Sequence, residues 1–259
     1  MVGLAEDLQL ALDRASFAKE LGIVPDPWQV DLLRSTSDRV LLNCCRQSGK
    51  STMAGVVALH RALHHPGSLV LCLAPSERQS KELFAKIAAF YRSLGHTAPA
   101  DSYRKLGMHL GNGSRIEALP GTEKTIRGFS GAALLIVDEA ARVTDDLYYA
   151  TRPMLAVSGG ALIMLSTPYG KRGIFHEEWT SEAGHGWDRY QVTAEECPRI
   201  PPAFLEEERQ AMPEWWFAQE YLCEFRETED QIFSHEIIEG ARDDELSEYR
   251  FEGDEGLWT

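Results

Sequence analysis

Four short runs of mostly apolar residues are spaced along the chain, and each has the length of a buried strand. They lie at about residues 39–44, 69–74, 133–137 and 161–166, and residues 187–192 are predicted to form one more strand. Helical stretches lie between them, at about residues 50–64, 77–94 and 144–155. Strands that alternate with helices predict an α/β fold, in which a parallel, doubly wound sheet is flanked by helices and has right-handed crossovers.

One segment interrupts this alternation. Within residues 109–119, Asn112-Gly113 stands between two stretches in which apolar and polar residues alternate. Asn-Gly is a favoured pair in tight hairpin turns, because both positions of such a turn have positive φ. We therefore predict an antiparallel pair of strands just before the strand at 133–137.

The two ends of the chain differ from the central pattern. Residues 5–20 predict one amphipathic helix with Leu8, Leu12 and Phe17 on the same side. From residue 201 onward the chain is helix-rich, and four of its aromatic residues lie close together: Trp215, Trp216, Phe217 and Tyr221. Such a cluster is typical of a contact with the core or with a lid.

Composition narrows the class of protein. The chain has 259 residues, of which 44% are apolar and 25% charged, as in ordinary globular proteins. No apolar stretch approaches the ~20 residues that span a bilayer, and the N-terminus lacks the regions of a signal peptide. The five cysteines show no metal-ligand spacing, so we interpret them as reduced residues of a cytoplasmic protein without a structural metal.

The net charge of −14 is unevenly distributed. Residues 1–150 carry 17 Lys/Arg and 16 Asp/Glu, whereas residues 151–259 carry 9 and 24. The acidic C-terminal part is interpreted as solvated. The first 150 residues can still present a local basic surface to nucleic acid.

A phosphate-binding motif follows the first predicted strand. Its residues are Arg46-Gln47-Ser48-Gly49-Lys50-Ser51-Thr52. A strand, a tight turn and a helix that begins at Gly-Lys-Ser form the layout of a P-loop, where backbone N–H groups and the helix dipole favour phosphate. Lys50 would reach the β- and γ-phosphates, and the Ser51 hydroxyl would bind Mg²⁺. Cys44 replaces the first consensus glycine, so the motif alone is incomplete.

Two acidic residues complete the site. Asp138 and Glu139 follow the strand at 133–137, at the sheet edge where open α/β folds bind ligands. A strand-terminal Asp can hold Mg²⁺, and the adjacent Glu can orient and deprotonate a water. The alternative is a pair that caps the next helix. Together with the P-loop, this pair predicts an ATPase site that uses ATP and Mg²⁺.

Five motifs in a fixed order resemble the large subunit of viral DNA-packaging terminases of tailed bacteriophages, over about residues 20–235. They are Trp28-Gln29, Arg46-Gln47-Ser48-Gly49-Lys50-Ser51, Ala74-Pro75-Ser76-Glu77-Arg78-Gln79, Leu135-Ile136-Val137-Asp138-Glu139-Ala140-Ala141 and Leu165-Ser166-Thr167-Pro168. The P-loop of that family commonly lacks its first glycine, so Cys44 fits the resemblance. The resemblance implies a P-loop NTPase fold of the RecA/ASCE type and ATP-driven translocation of double-stranded DNA into a procapsid.

The resemblance also implies roles for single residues. Gln29 would read the adenine edge, and Trp28 would pack nearby or serve as a core aromatic. Glu139 is the expected water-activating base. Ser166 and Thr167 would belong to the motif that couples hydrolysis to movement.

Two arginines are candidates for the transition-state role, which is worth about 10³–10⁵ in rate in phosphoryl transfer. Arg46 lies in the P-loop and could act in cis, whereas Arg127 precedes the Asp138 strand. The resemblance implies that this preceding region reaches into a neighbouring subunit. We expect Arg127 to act in trans and Arg46 to act as a switch at the phosphates; the alternative for Arg127 is a surface salt bridge.

A packaging motor must hold duplex DNA through its phosphates, which requires Lys and Arg on one surface. The candidates, each of which could instead be a solvated charge, are Arg104, Lys105, Lys124, Lys171 and Arg172. No base-reading motif is found, which suits a motor that passes any sequence. The implied partners are a homo-oligomeric ring, a pentamer on a portal, and a small terminase subunit in the host cytoplasm.

We expect three regions. Residues 1–180 would form the ATPase core, with the N-terminal helix and the adenine motif, and residues 181–235 the last strand and a helical lid. Residues 236–259 would be an acidic linker. Members of the family usually continue into an RNase H-like nuclease domain, so we expect a fragment or half of a split gene, without nuclease activity.

Two other functions fit the same motifs. A superfamily 2 helicase half shares their order, but it needs a second RecA-like domain, for which the roughly 90 residues after Gly170 are too few. A nucleotide-gated binding or assembly module would bind ATP with little turnover. Intact Lys50 and Glu139 argue against it. Turnover that rises faster than linearly with protein concentration would favour the ring motor over both.

Overall fold

Eight strands form one sheet in the computed structural model, which describes residues 3–95, 100–104, 106–120, 128–182 and 186–227. The strands are β1 (Arg39–Cys44), β2 (Leu69–Ala74), β3 (Ala100–Arg104), β4 (Gly107–Leu110), β5 (Arg115–Pro120), β6 (Leu134–Asp138), β7 (Ala161–Ser166) and β8 (Asp188–Val192). Their order across the sheet is β3-β4-β5-β2-β6-β7-β1-β8. The strands from β5 to β8 in this order are parallel, so the predicted parallel α/β sheet is confirmed.

The predicted hairpin is also confirmed, but it is larger than expected. β4 and β5 pair antiparallel around the Asn112-Gly113 turn, and β3 adds a further antiparallel strand that the sequence did not reveal. β5 then pairs in parallel with β2, with Leu69 opposite Arg115. The hairpin therefore extends the main sheet.

Nine α-helices in the described residues connect or flank these strands. They are α1 (Leu4–Leu12), α2 (Arg14–Glu20), α3 (Pro27–Arg34), α4 (Lys50–His64), α5 (Glu77–Ser93), α6 (Asp145–Thr151), α7 (Gly173–Thr180), α8 (Pro202–Ala211) and α9 (Glu214–Tyr221). Short 3₁₀ helices span Ala140–Arg142 and Arg152–Leu155. Among the described residues, none of these helices is both long and apolar enough to cross a membrane.

The central strands are buried on both faces, which explains their continuous apolar sequences. Successive residues of β1 alternate between the two faces: Val40 and Leu42 pack in the same cluster as the buried residues of α4, and Leu41 packs with Tyr148 and Phe175 on the other side. The two cores hold the sheet between layers of helix. They fix the strand ends that carry the candidate site.

The prediction of a single helix over residues 5–20 was wrong. Asp13 ends α1 and caps α2, because its carboxylate accepts hydrogen bonds from the backbone N–H groups of Ala15 and Ser16. Hydrogen bonds from Arg34 hold the pKa of Asp13 well below its usual range. Phe17 is 2% exposed, whereas Leu12 is 83% exposed. The apolar residues of the two helices therefore do not share one buried face.

Helices α8 and α9 pack against the end of the sheet. Phe217 is buried, and its ring centroid lies 5.0 Å from that of Tyr221. The Asn43 side chain donates to the Cys223 carbonyl at 2.9 Å, which ties the end of β1 to the segment after α9. The described residues up to Arg226 belong to one compact unit. The domain boundaries expected at residues 180 and 235 stay predictions.

Candidate functional site

The candidate site lies where four parallel strands end side by side, in the order β6, β7, β1 and β8. Asp138 ends β6, Thr167 follows β7, and the turn of the P-loop motif, residues 45–49, follows β1 and leads into α4. Because parallel strands end at the same edge, motifs that are far apart in sequence meet there. A cavity of about 570 Å³ opens at this edge. The predicted site residues on its lining are Arg46, Gln47, Gly49, Lys50, Ser51, Thr52, Asp138 and Glu139.

The P-loop makes its turn through two residues in the left-handed region. Gln47 has φ +62° and Gly49 has φ +90°. The left-handed conformation of Gly49 favours glycine, and a Cβ there would lie 2.8 Å from Gln29 Nε2 and so would displace the Gln29 amide. Cys44 is fully buried as the last residue of β1. The position of the first consensus glycine therefore belongs to the strand and has no positive φ that would favour glycine.

The ammonium group of Lys50 lies beneath the cavity. Lys50 Nζ donates to Thr167 Oγ1 at 3.1 Å and lies 3.8 Å from Glu139 Oε1. Thr167 Oγ1 donates in turn to the Cys44 carbonyl at 3.1 Å, so its lone pairs remain for the lysine. This contact joins the P-loop motif to the predicted coupling motif.

Ser51 and Asp138 meet as the P-loop interpretation requires. Ser51 Oγ donates to Asp138 Oδ1 at 3.3 Å, and the Glu139 backbone N–H donates to the same oxygen at 3.0 Å. Burial, followed by the neighbouring charge of Glu139, raises the pKa of Asp138 to about 6. A buried carboxylate beside a hydroxyl is a donor pair that suits Mg²⁺, since this cation prefers oxygen ligands and would relieve the buried charge.

Glu139 has φ +51°, in the left-handed region. A residue other than glycine is rare there and costs about 1 kcal/mol or more. This backbone conformation turns the chain sharply after β6 into the 3₁₀ helix Ala140–Arg142. The Glu139 side chain therefore stays beside Lys50 and on the cavity lining.

Comparison with known proteins assigns the family. Residues 41–239 match the family model described as "Terminase large subunit, T4likevirus-type, N-terminal", which covers most of the chain. The chain belongs to the terminase large subunit family. The resemblance inferred from the five motifs is therefore confirmed.

Two kinds of relative agree with this assignment. The terminase large subunit of Thermus virus P23-45 is 28% identical, over 84% of this chain and 52% of the relative. The ATPase domain of the large terminase of Thermus phage P74-26 has the same fold, with a TM-score of 0.73, 24% identity, and coverage of 81% of this chain and 97% of that domain. The large terminase of a thermophilic bacteriophage, solved in complex with ADP, has a TM-score of 0.66, 12% identity, and coverage of 78% and 54%. The chain spans about half the length of the curated relatives it matches.

The predicted adenine motif, Trp28-Gln29, contacts the P-loop backbone but does not line the cavity. Gln29 is 2% exposed; its Oε1 accepts from the Asp26 backbone N–H at 3.0 Å, and its Nε2 donates to the Ser48 carbonyl at 3.1 Å. Trp28 packs against the core, and neither residue lies on the cavity lining. In this arrangement the amide of Gln29 orders the loop, and its contact with an adenine edge stays a prediction.

The terminase P-loop is also linked to the C-terminal helices. Arg46 forms a salt bridge with Glu220 of α9, and this contact is the main cause that raises the pKa of Arg46. Glu220 is buried, whereas the Arg46 side chain is largely exposed. Gln219 Oε1 accepts from the Gly170 backbone N–H at 3.3 Å, just after the coupling motif. Helix α9 thus contacts both motifs.

The two residues of the predicted coupling motif differ in their surroundings. The Ser166 hydroxyl is buried and donates to the Thr167 carbonyl at 2.7 Å, so it does not reach the cavity. Thr167 contacts Lys50 directly. Of the basic residues that follow, Arg172 lies beside the ring of Tyr169, with 5.0 Å from its Cζ to the ring centroid, and Lys171 is half-buried.

Sequence reasoning missed part of the lining. Arg199, on the segment after β8, and four residues of α5 line the cavity, and Glu220 pairs with the P-loop. The α5 residues are Gln79, Glu82, Leu83 and Lys86. Only Gln79 had a sequence signal, since it ends the motif after β2. The candidates Lys105, Lys124 and Arg127 lie outside the described residues, as does the side chain of Arg104.

Proposed function

We propose that this terminase chain hydrolyses ATP to drive double-stranded DNA into a procapsid in the host cytoplasm. The single observation that carries the proposal is the position of Lys50, between the Thr167 hydroxyl and the Glu139 carboxylate. A P-loop lysine, a strand-end hydroxyl and a candidate base are thereby held around the place expected for a γ-phosphate. The ADP complex of the related terminase supports a nucleotide as the ligand.

Each residue has a distinct task in this proposal. Backbone N–H groups at the start of α4 and the Lys50 ammonium group bind the phosphates. Glu139 orients a water and accepts its proton as the water attacks the γ-phosphorus; the bond from this phosphorus to the oxygen that bridges it to the β-phosphate breaks, and ADP leaves. Thr167 senses the loss of the γ-phosphate through Lys50. Ser51 and Asp138 would hold Mg²⁺, which when bound neutralises charge on the phosphates.

We propose that Arg127 completes the neighbouring site in a homo-oligomeric ring, while Arg46 exchanges its carboxylate partner Glu220 for the phosphates. The Arg46–Glu220 salt bridge supports the second assignment, because the arginine already pairs with a carboxylate while it lines the cavity, and phosphates could replace that partner. The ring would sit on a portal and work with a small terminase subunit. Its subunit number is proposed as five.

A basic surface near the site supports contact with DNA. Arg142 Cζ lies 3.9 Å from the centroid of the Tyr169 ring, and Arg172 Cζ lies 5.0 Å from it. Both arginines are exposed, and within the described residues neither forms an ion pair. In a protein of net charge −14, two such cations on one ring form a local positive surface that suits phosphates. We propose that the same DNA-binding surface also includes Arg104, Lys105, Lys124 and Lys171.

Salt dependence tests the DNA surface. The double variant Arg142→Ala/Arg172→Ala is expected to bind duplex DNA more weakly at every sequence and to lower the slope of log K against log salt by about 2. Arg34→Ala is the matched control, because Arg34 is an exposed arginine that already pairs with Asp13 on another part of the chain. An unchanged slope in the double variant would remove this surface from the DNA contact.

The decisive experiment on function is ATP turnover against protein concentration, with and without duplex DNA. We expect turnover to rise cooperatively with concentration and to be abolished in Glu139→Ala and Arg127→Ala, while both variants still bind ATP. Turnover that is independent of concentration and survives loss of Arg127 would indicate a self-contained ATPase. ATP binding with negligible turnover at all concentrations and with DNA would indicate a nucleotide-gated module.

A further inference from the structure

Arg199 lies beside the P-loop on the segment that follows β8. Its Nη1 is 2.7 Å from Asp26 Oδ2, and its Nη2 donates to the Ser48 carbonyl at 2.6 Å. The side chain is 45% exposed and lines the same cavity as Lys50. Arg199 therefore supports the loop and also faces the space above it.

Gln29 binds the same carbonyl but does not face the cavity. Its two amide heteroatoms contact the Ser48 carbonyl and the Asp26 backbone N–H, and the residue is almost fully buried. Ser48 O thus accepts one hydrogen bond from α3 and one from the segment after β8. Of these two donors, only Arg199 retains surface that a ligand in the cavity can touch.

The strand order identifies which part of a nucleotide Arg199 would meet. Asp138 ends β6 and Thr167 follows β7, so the groups expected at the γ-phosphate lie on one side of β1 and its P-loop. Arg199 follows β8, on the other side of β1. A triphosphate laid across the P-loop with its γ-phosphate toward β6 therefore places its nucleoside toward β8.

We propose that Arg199 binds the nucleoside part of ATP, and that Gln29 is a positioning residue that acts through the P-loop. This assignment rests on the proposed function, because it takes ATP as the ligand. A guanidinium group is planar, so it can stack on a base while its N–H groups donate to ribose or base acceptors. The ion pair with Asp26 fixes the orientation of this group.

ATP and inorganic tripolyphosphate differ by the nucleoside, so a comparison of their affinities separates the proposed role of Arg199 from that of Gln29. Calorimetry in Mg²⁺ would measure the Kd of ATP and of inorganic tripolyphosphate for wild type, Arg199→Ala and Gln29→Ala. Arg199→Ala is expected to weaken ATP about tenfold more than it weakens tripolyphosphate, because the lost contact with the Ser48 carbonyl affects both ligands and the lost charged hydrogen bond to the nucleoside affects ATP alone. Gln29→Ala is expected to weaken both ligands by a similar factor, because it disturbs the loop that binds phosphate.

Two further variants serve as controls. Arg209→Ala removes another half-exposed, ion-paired arginine that is not on the cavity lining, and it is expected to leave both affinities unchanged. Arg199→Lys retains a cation for Asp26 but cannot contact Asp26 and Ser48 with one planar group. This variant is expected to fold and still to lose ATP affinity selectively, so it decides the question if Arg199→Ala is unstable.

The outcomes distinguish a failure of the Arg199 assignment from a failure of the proposed ATPase function. Equal losses for ATP and tripolyphosphate in the Arg199 variants would make Arg199 a support of the loop and overturn its nucleoside role. Unchanged ATP affinity in both variants would overturn the assignment while leaving the ATPase proposal standing. If wild-type protein binds tripolyphosphate as tightly as ATP, the nucleoside assignment fails alone; if it binds no ATP, the proposed function fails together with this assignment.

Discussion

Replacing Asp138 by asparagine is expected to stabilise the ligand-free protein and to abolish its ATP turnover. Asp138 is 6% exposed, and burial of its carboxyl, followed by the charge of Glu139, raises its pKa from 3.8 to about 6. Asparagine keeps the oxygen that accepts hydrogen bonds from Ser51 and from the Glu139 backbone. The substitution therefore removes the charge and preserves most contacts, but it also removes the proposed ligand of Mg²⁺.

The magnitude follows from the difference in pKa. The pKa of Asp138 is higher in the folded than in the unfolded protein, so folding favours the protonated carboxyl. The contribution of this carboxyl to the free energy of unfolding is therefore full below about pH 3.8 and is lost as the pH rises through about 6. A difference of about two pKa units lowers the free energy of unfolding of the wild type by about 3 kcal/mol at pH 7. At pH 5, where the folded carboxyl is mostly protonated, the free energy of unfolding is lowered by about half as much. Asp138→Asn, which lacks this carboxyl, should gain these amounts.

The gain in the free energy of unfolding is measured by urea unfolding, with circular dichroism as the signal. Wild type and Asp138→Asn would be compared at pH 7 and pH 5 in EDTA, so that no divalent cation contributes, and phosphate release would be measured separately with Mg²⁺. Asp31→Asn is the control, because Asp31 is an exposed aspartate on α3, and its loss should leave stability nearly unchanged.

Two results would refute this reasoning. If Asp138→Asn is no more stable than wild type at pH 7, the buried charge does not carry the expected cost. A gain of equal size at pH 5 and pH 7 would show that the stabilisation arises from something other than ionisation of Asp138. Turnover that survives the substitution would contradict the role of this carboxylate in the site.

Three more predictions concern single contacts. Arg46→Ala should cost about 3 kcal/mol in urea unfolding because it leaves the buried Glu220 carboxylate unpaired, whereas Glu220→Gln should cost about 1 kcal/mol because the arginine is largely exposed. Phe17→Ala should cost about 3–4 kcal/mol, and Leu12→Ala less than about 0.5 kcal/mol, in the same assay. Glu139→Gln should keep ATP binding by calorimetry and lose phosphate release about 100-fold or more, as for a lost general base.

Each of these predictions has a contrary outcome. Equal costs for the Arg46 and Glu220 variants would mean that the carboxylate is solvated once its partner is gone. A large cost for Leu12→Ala would mean that α1 packs its apolar side on another surface. Phosphate release by Glu139→Gln at the wild-type rate would transfer the role of base to another group.

The sequence predicted the central strands closely because their burial on both faces leaves an uninterrupted apolar signal. β1, β2 and β7 begin and end where their apolar runs do. β3 carries no such signal, since Ala100–Arg104 is largely polar. Periodicity also failed at the N-terminus, because it reports the spacing of Leu8, Leu12 and Phe17 but not which of them is covered. The cap at Asp13 was the deciding local feature.

The site was predictable to the extent that its parts are local in sequence. The P-loop and the Asp138-Glu139 pair each form one short motif at a strand end, and the fold only had to bring them together. Arg199 and Glu220 acquire their roles through contacts with Ser48 and Arg46 that span more than 150 residues, so no local pattern marks them.

The contacts of Lys50 have a consequence for the entropy of ligand binding. A lysine side chain loses about 1.5–2 kcal/mol of rotamer freedom when it is fixed. Here the Thr167 hydroxyl already holds the ammonium group of a nearly buried lysine in the ligand-free protein. The loss is therefore incurred when the chain folds and not when a nucleotide arrives. An arriving phosphate finds its cation already in place, and a greater share of the contact energy appears as affinity.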